Sequence, residues 1–90
     1  MRIDALQWDD ENVQHIAQHG VSPVEVEDVC FGSHLSQKEG DQRYILAGQS
    51  AGGRYLNVVI KRIGVGTFRP VTAFDMSESY KRKYRKRFRK

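Results

Sequence analysis

The segment from Tyr55 to Ile63 constrains the fold most, because both of its alternating sets of side chains are largely apolar. Successive side chains of a strand point to opposite faces of a sheet. A strand that is apolar on both faces therefore belongs at the centre of a sheet, with cover on both sides. The sequence predicts a sheet built around this segment.

Turn residues divide the second half of the chain into further strands. Glycine-containing turns are expected at 40–41, 51–53 and 64–66. They separate four predicted strands, at 34–39, 42–49, 54–63 and 67–74. Connections this short join antiparallel neighbours, so the four strands are predicted to form a meander. Pro70 lacks a backbone N–H, which places the last strand at an edge or gives it a bulge.

A short strand and a helix are predicted at the start of the chain. Apolar and polar residues alternate in 2–8, which indicates a short first strand. Asp9 or Asp10 then caps a helix that runs to about His19 and ends at Gly20. The predicted buried stripe of this helix consists of Val13, Ile16 and Ala17.

The second helix has the clearest local signature. Ser22 as the N-cap, Pro23 at the first helical position and Glu25 three residues after Ser22 form a capping box. The helix is predicted to run to about Phe31. Its predicted core face consists of Val26, Val29 and Cys30. The single cysteine is therefore interpreted as a packing residue rather than as a nucleophile.

Positive charge is concentrated at the C-terminal end of the chain. Residues 1–75 carry seven Lys or Arg against ten Asp or Glu, whereas residues 76–90 carry eight against one. A third helix is predicted from about Ser77 to Lys90. Clustered cations bind a phosphate backbone with release of counterions, so RNA is the predicted partner. The predicted nucleic-acid contacts are Lys81, Arg82, Lys83, Arg85 and Lys86.

Aromatic residues are interleaved with these cations, since Tyr80, Tyr84 and Phe88 recur at i, i+4 and i+8. Three arrangements are open. The rings stack on bases while the cations hold phosphates, or the rings pack on the sheet and leave the cations for RNA, or the helix docks on an acidic protein. The second arrangement is favoured, because aromatic residues at helical spacing more often belong to a core.

Length and composition predict one α+β domain over residues 1–90. One cysteine excludes an internal disulfide, and no apolar run approaches the roughly 20 residues that span a bilayer. The acidic N-terminus lacks the residue order of a secretion signal, so a cytoplasmic location is predicted. A domain this small buries a modest share of its surface, so added contacts in a homodimer or a hetero-oligomer are expected.

Neither a metal nor a cofactor is predicted. His15 and His19 have the i, i+4 spacing of a chelating pair, but Ile16 stands where the metalloprotease motif needs Glu, and no third ligand is evident. His19 is interpreted as a helix-end residue, where an imidazolium suits the negative pole. No glycine pattern matches a phosphate-binding loop, because Gly48, Gly52-Gly53 and Gly64-Val65-Gly66 lie in or beside predicted hairpin turns rather than before a helix.

Cations also lie on the predicted strands, at Arg43, Arg54, Lys61, Arg62 and Arg69. RNA cleavage through the neighbouring 2′-hydroxyl needs a base, an acid and positive charge at the phosphorane. The strand cations can supply that charge. The candidate proton-transfer groups are His19, His34 and Asp75. The alternative interpretation is that these cations are solvated charges on an exposed face of the sheet.

Four ordered segments, followed by the basic helix, carry a family resemblance. They are Trp8-Asp9-x-x-Asn12, then His19-Gly20-Val21-Ser22 with Glu25 and Val29, then Arg43-Tyr44-x-x-x-Gly48-x-Ser50 with Gly53-Arg54, and Arg69-Pro70-Val71-Thr72-Ala73. Together they cover nearly the whole chain and resemble the BrnT ribonuclease-toxin family. The resemblance implies a RelE-like α+β toxin of a type II toxin-antitoxin pair. Such a toxin is a metal-independent endoribonuclease that inhibits translation and is neutralised by a DNA-binding, BrnA-like antitoxin.

By position, the family's shared polar residues fall on Asp9, Asn12, His19, Arg43, Arg54 and Arg69. Two departures stand out. Phe74 occupies the position after Ala73 where such toxins commonly carry arginine, and 60–67 lacks the expected Thr-Glu-Arg pattern. Two hypotheses follow. The first is a ribonuclease with Arg69, Arg62, Lys61, Arg54 and His19 as catalytic residues; the alternative is a non-catalytic RNA- or partner-binding module of the same fold.

Overall fold

The structure is a computed structural model that describes residues 1–88. Its elements are β1 (Ala5–Leu6), α1 (Asp10–Ala17), α2 (Pro23–Phe31), β2 (His34–Gly40), β3 (Arg43–Gln49), β4 (Tyr55–Gly64), β5 (Thr67–Asp75) and α3 (Glu78–Phe88). The α+β class, the three helices and the four long strands are as predicted. The predicted end of the last helix at Lys90, with Arg89, lies outside the described residues. No helix within residues 1–88 is long and apolar enough to cross a membrane.

The sheet has five strands in the order β1-β5-β4-β3-β2. Strands β2 to β5 form the predicted antiparallel meander, with β4 in the centre. The prediction of a purely antiparallel sheet is wrong, because β1 adds to β5 in parallel, with Ala5 opposite Thr67 and Leu6 opposite Phe68. A bulge in β5 lies opposite Val59 and Ile60, as Pro70 indicated.

The first strand has two residues rather than the predicted seven, and Pro70 explains where it ends. The N–H groups of Ala5 and Gln7 donate to Gly66 and Phe68 at 3.1 and 2.9 Å. In a parallel ladder the N–H of residue 70 would donate to the carbonyl of Gln7, but Pro70 has no N–H, and that carbonyl accepts from the side chain of Asn12. The carbonyl of Pro70 also accepts from this side chain.

Asn12 is the buried link between α1 and the sheet. Its Nδ2 donates to the carbonyls of Gln7 and Pro70, each at 3.0 Å. Its Oδ1 accepts from the N–H of Asp9, whose carboxylate accepts in return from the N–H of Asn12, so α1 begins with a capping box. Every hydrogen-bonding atom of the Asn12 amide therefore serves the junction of β1, α1 and β5.

The predicted buried stripe of α1 is wrong at two positions. Asn12 is 2% exposed and Ile16 is fully buried, whereas Val13 is half-buried and Ala17 is exposed. Apolar periodicity favoured Val13 and Ala17. The helix is instead rotated so that the Asn12 amide reaches the two backbone carbonyls, which need partners once they are removed from water.

The second helix matches its prediction. Ser22 and Glu25 form the capping box, and Val26, Val29 and Cys30 are buried. Burial raises the pKa of the Cys30 thiol to about 12, which fits a packing role. Gly48 lets α2 approach the sheet closely, because a Cβ at this position would lie 2.9 Å from Cγ1 of Val29.

We predict that Asn12→Ala lowers the free energy of unfolding by about 2 kcal/mol, because two buried carbonyls and the capping interaction lose their partner. Urea denaturation measures this difference. The matched control is Gln14→Ala, at an exposed position of the same helix, which we expect to change stability by no more than about 0.5 kcal/mol. Equal stability of the two variants would contradict the assigned role of Asn12.

Candidate functional site

The sheet has one face that is only partly covered. Strand register places three rows of side chains on it: Leu35-Ala47-Asn57-Phe74, then Gln37-Ile45-Val59-Thr72, then Arg43-Lys61-Arg69. The opposite face carries Leu56, Val58 and Ile60 and packs in one buried cluster with residues of α1 and α2. Helix α3 covers the first row at Leu35 and Ala47. The central Val59 is buried by its neighbours. We call the rest of this surface, formed by Gln37, Arg43, Ile45, Asn57, Lys61, Thr72 and Phe74, the open face.

The aromatic side of α3 packs on the sheet. Tyr84 is buried, its ring lies 5.7 Å from that of Tyr55, and its hydroxyl donates to the carbonyl of Ser33 at 3.5 Å. Burial raises the pKa of Tyr84. Tyr80 is half-buried, and the ring of Phe88 lies against that of Tyr84 at 4.7 Å. The prediction that the aromatic rings of this helix pack on the sheet is therefore confirmed for Tyr84 and, in part, for Tyr80.

The cations of α3 remain on the outside. Lys81 forms an ion pair with Glu78 at 3.2 Å, and the guanidinium of Arg85 lies 5.4 Å from the centre of the Tyr55 ring. Five cations of this helix are exposed and form no ion pair within the described chain: Arg82, Lys83, Arg85, Lys86 and Arg87. The helix thus presents a concentrated positive charge that the rest of the described chain does not neutralise.

Lys61 is a predicted catalytic residue that lies on the open face. Arg43 stands directly opposite it on β3, and both side chains are exposed. Neither forms an ion pair with any acid in residues 1–88. Arg62 follows in the strand and therefore points to the other face, where its Nε donates to the carbonyl of Gly64 at 3.3 Å. Lys61 and Arg62 thus serve different surfaces.

Arg69 has its backbone opposite Lys61, but its guanidinium is bonded to the start of α1. It donates to the carboxylate of Asp9 and, at 2.9 Å, to Oε1 of Glu11. The hydrogen bond between Arg69 and Asp9 is the largest cause of both pKa shifts. It lowers the pKa of the Asp9 carboxyl and raises the pKa of the Arg69 guanidinium. Arg69 therefore joins β5 to the capped end of α1.

Arg54 joins three elements through all of its donor nitrogens. Nε and Nη2 donate to the two carboxylate oxygens of Asp75 at 2.9 and 3.2 Å. Nη1 donates to the carbonyl of Gly20 at 2.6 Å and to Glu25 at 3.3 Å, and Nη2 also donates to the carbonyl of His19 at 3.3 Å. The Asp75 pair lowers the pKa of that carboxyl and raises that of Arg54. The end of α1, the start of α2 and the end of β5 are held together here.

The three candidate proton-transfer groups are in different surroundings. Asp75 is engaged by Arg54, and Nδ1 of His34 donates to the carbonyl of Val29 at 2.9 Å. The exposed ring of His19 lies 6.5 Å from the ring of Phe74, at the margin of the open face. It also lies 5.9 Å from His15, but no group of three His, Cys, Asp or Glu in residues 1–88 is arranged to hold a metal ion.

The five predicted catalytic residues therefore occupy separate places rather than one cluster. The open face also contains a feature that was not predicted from the sequence. It is a hollow of about 170 Å³ lined by Gln37, Ile45, Asn57, Phe74 and Tyr80. The sequence contains one indication of this hollow, which is Asn57, a polar residue within the otherwise apolar run Leu56 to Ile60.

No family model matches the sequence, and no curated protein matches it. Among solved structures, the chain is similar to the crystal structure of the ribonuclease toxin BrnT from Brucella abortus, with a TM-score of 0.67. The match covers 82% of this chain and 97% of that chain, at 21% sequence identity. The two chains share one fold. The resemblance to BrnT that the ordered motifs indicated is thus confirmed for the fold.

We predict that Arg54→Gln lowers the free energy of unfolding at pH 7 by about 1 to 2 kcal/mol, because two carboxylates and two carbonyls lose their donor. The pKa of Asp75 is lowered from 3.8, so the contribution of the pair is present above that pH. It is lost as the pH falls through the lowered pKa, and the stability difference between the two proteins should shrink there.

Urea denaturation at pH 7 and at a series of values down to well below 3.8 measures this difference. Arg43→Gln is the matched control, since Arg43 is exposed and has no ion pair in the described chain. The interpretation fails if Arg54→Gln is as stable as the control, or if its deficit is the same at every pH.

Proposed function

We propose that this protein is a RelE-like ribonuclease toxin of the BrnT type, a metal-independent endoribonuclease that inhibits translation. The observation that carries the proposal is the open face. Arg43 and Lys61, without ion pairs in residues 1–88, lie on the same face of the sheet as the basic helix α3. That arrangement occurs on a fold shared with a ribonuclease toxin.

The open face is suited to hold a phosphate and to stabilise charge on it. In the proposed reaction the 2′-hydroxyl of the RNA attacks the adjacent phosphorus and the 5′-oxygen leaves. The phosphorane gains negative charge, which Lys61 and Arg43 stabilise from a rigid pair of strands. His19 is proposed to take the proton of the 2′-hydroxyl and to return a proton to the leaving 5′-oxygen. Its exposed ring borders the open face beside Phe74, four residues along the strands from the row of Lys61. In this proposal the reacting phosphate lies between His19 and the pair Arg43 and Lys61.

The other predicted catalytic residues receive different roles in this proposal. Arg54 and Arg69 are positioning residues, since each guanidinium is bonded to two carboxylates. Arg54 holds the carbonyl of His19, and Arg69 fixes the helix that carries it. Arg62 points to the other face and is assigned no contact with the reacting phosphate. The α3 cations Lys81, Arg82, Lys83, Arg85 and Lys86 bind the flanking phosphates.

The proposal includes a protein partner and a location. A toxin of this type is held inactive in the cytoplasm by a BrnA-like antitoxin. An antitoxin with an acidic segment would complement the exposed cations of α3, so toxin-antitoxin hetero-oligomers are the proposed resting state. A homodimer is the alternative assembly.

One observation favours a second candidate, a non-catalytic RNA-binding module of the same fold. Phe74 stands where the resemblance places an arginine, and Arg54 and Arg69 are already neutralised by carboxylates. On this alternative the open face and α3 hold RNA without cutting it.

Incubation of the protein with a mixed single-stranded RNA in EDTA distinguishes the two candidates. We predict discrete fragments with 2′,3′-cyclic phosphate ends. Lys61→Gln should reduce the cleavage rate by about 100-fold, the usual effect of removing one stabiliser of a charged transition state. Arg62→Gln, a neighbouring cation on the opposite face, is the matched control and should cleave at nearly the wild-type rate. RNA that stays intact and only shows a mobility shift in a gel would contradict the ribonuclease proposal and favour the RNA-binding module.

A further inference from the structure

Phe74 borders the hollow of the open face together with Tyr80. Its side chain is 37% exposed near the end of β5, and its ring lies 6.5 Å from that of His19. An aromatic ring with this much exposure, at the end of β5 that β1 does not pair with, has apolar surface left uncovered. A planar partner that packs on the ring would cover it.

The hollow also offers hydrogen-bonding groups that the protein does not use. The side-chain amides of Asn57 and Gln37 line it, and neither amide makes a hydrogen bond within residues 1–88. Each amide presents a donor and an acceptor side by side. Ile45 contributes apolar surface, and no charged residue lines the hollow. An uncharged, flat ligand with a polar edge satisfies these features, whereas an aliphatic side chain would leave both amides unpaired.

The surroundings of the hollow indicate which chemical groups are attached to the ligand. Arg43 and Lys61 lie on one side of it along the strands, and α3 lies on the other. The strand distance from Arg43 to Ala47, which α3 covers, is four residues, or about 13 Å. A ligand in the hollow therefore lies between the pair Arg43 and Lys61 and a helix that carries exposed cations. A nucleobase within a phosphate-linked chain has this combination of a flat, polar-edged ring and flanking negative charge.

We propose that the hollow binds one unpaired base of single-stranded RNA, stacked on Phe74 and Tyr80 and hydrogen-bonded along its edge by Asn57 and Gln37. This inference rests on the proposed RNA function and gives the open face a base-recognition subsite. Because a paired base has its edge occupied and its faces stacked, the protein prefers single strands over duplexes.

The test compares the affinity of wild-type protein and Phe74→Ala for a single-stranded RNA and for an abasic oligomer with the same backbone. With bases present, Phe74→Ala should weaken binding about tenfold, within the range that base stacking on an aromatic ring contributes. On the abasic oligomer the two proteins should bind equally. Phe74→Leu, which keeps apolar bulk without the aromatic ring, should behave like Phe74→Ala.

Phe88→Ala is the matched control, because Phe88 is 38% exposed and does not line the hollow. It should bind the base-containing RNA as wild type does. Asn57→Ala should alter the order of affinity among the four homopolymers. Urea denaturation of each variant verifies that it is folded.

Two results would contradict the subsite and leave the proposed RNA function intact. In the first, wild-type protein binds the RNA, and Phe74→Ala binds it no more weakly than Phe88→Ala does. In the second, Phe74→Ala loses the same affinity for the abasic oligomer as for the base-containing RNA. Wild-type protein that binds neither oligomer would overturn the subsite and the proposed function together.

Discussion

The guanidinium of Arg54 connects parts of the chain that are far apart in sequence, and the geometry of the open face depends on it. Through Asp75, Glu25 and the last carbonyls after α1, it sets the end of β5 against both helices. His19 and Phe74 belong to the two elements joined in this way. The Arg54 network, together with the packing of α1 on β5, therefore holds His19 and Phe74 close together at the margin of the open face.

Arg69 repeats this arrangement at the other end of α1. It ties the strand to Asp9 and Glu11, while Asn12 supplies the buried hydrogen bonds beside it. Two groups of cations can therefore be distinguished within residues 1–88. Arg54 and Arg69 are satisfied by carboxylates and hold elements together, whereas Arg43, Lys61 and the outer side of α3 retain charge for a ligand. A polyanion is attracted to the second group because the first is already neutralised.

Local signals were sufficient for much of the fold. The Ser22–Glu25 capping box located α2, the apolar strand located the centre of the sheet, and glycine turns separated the strands of the meander. The parallel addition of β1 and the inward turn of Asn12 depend on Gly66, Phe68 and Pro70, more than fifty residues away. Periodicity within a short segment carries no information about such partners.

The same difference between local signals and distant partners explains how much of the candidate site could be predicted from the sequence. Strand alternation alone separates Lys61 from Arg62, so their opposite orientations were available from the sequence. The partners of Arg54 lie 21 to 35 positions away, and no local pattern identifies them. The hollow needed the register of four strands to bring Gln37, Asn57 and Phe74 into neighbouring rows.

If the open face and α3 bind the RNA backbone, affinity must fall as salt concentration rises, with a slope set by the number of phosphate contacts. Affinity for a single-stranded RNA is measured over a range of salt concentrations for wild type, Arg43→Gln with Lys61→Gln, and Arg62→Gln. Each phosphate contact to a single strand contributes about 0.7 to the slope of log affinity against log salt. We expect a slope shallower by about 1.4 for the double variant, which loses two contacts, and an unchanged slope for Arg62→Gln. An unchanged slope for the double variant would contradict binding of the RNA backbone by the open face.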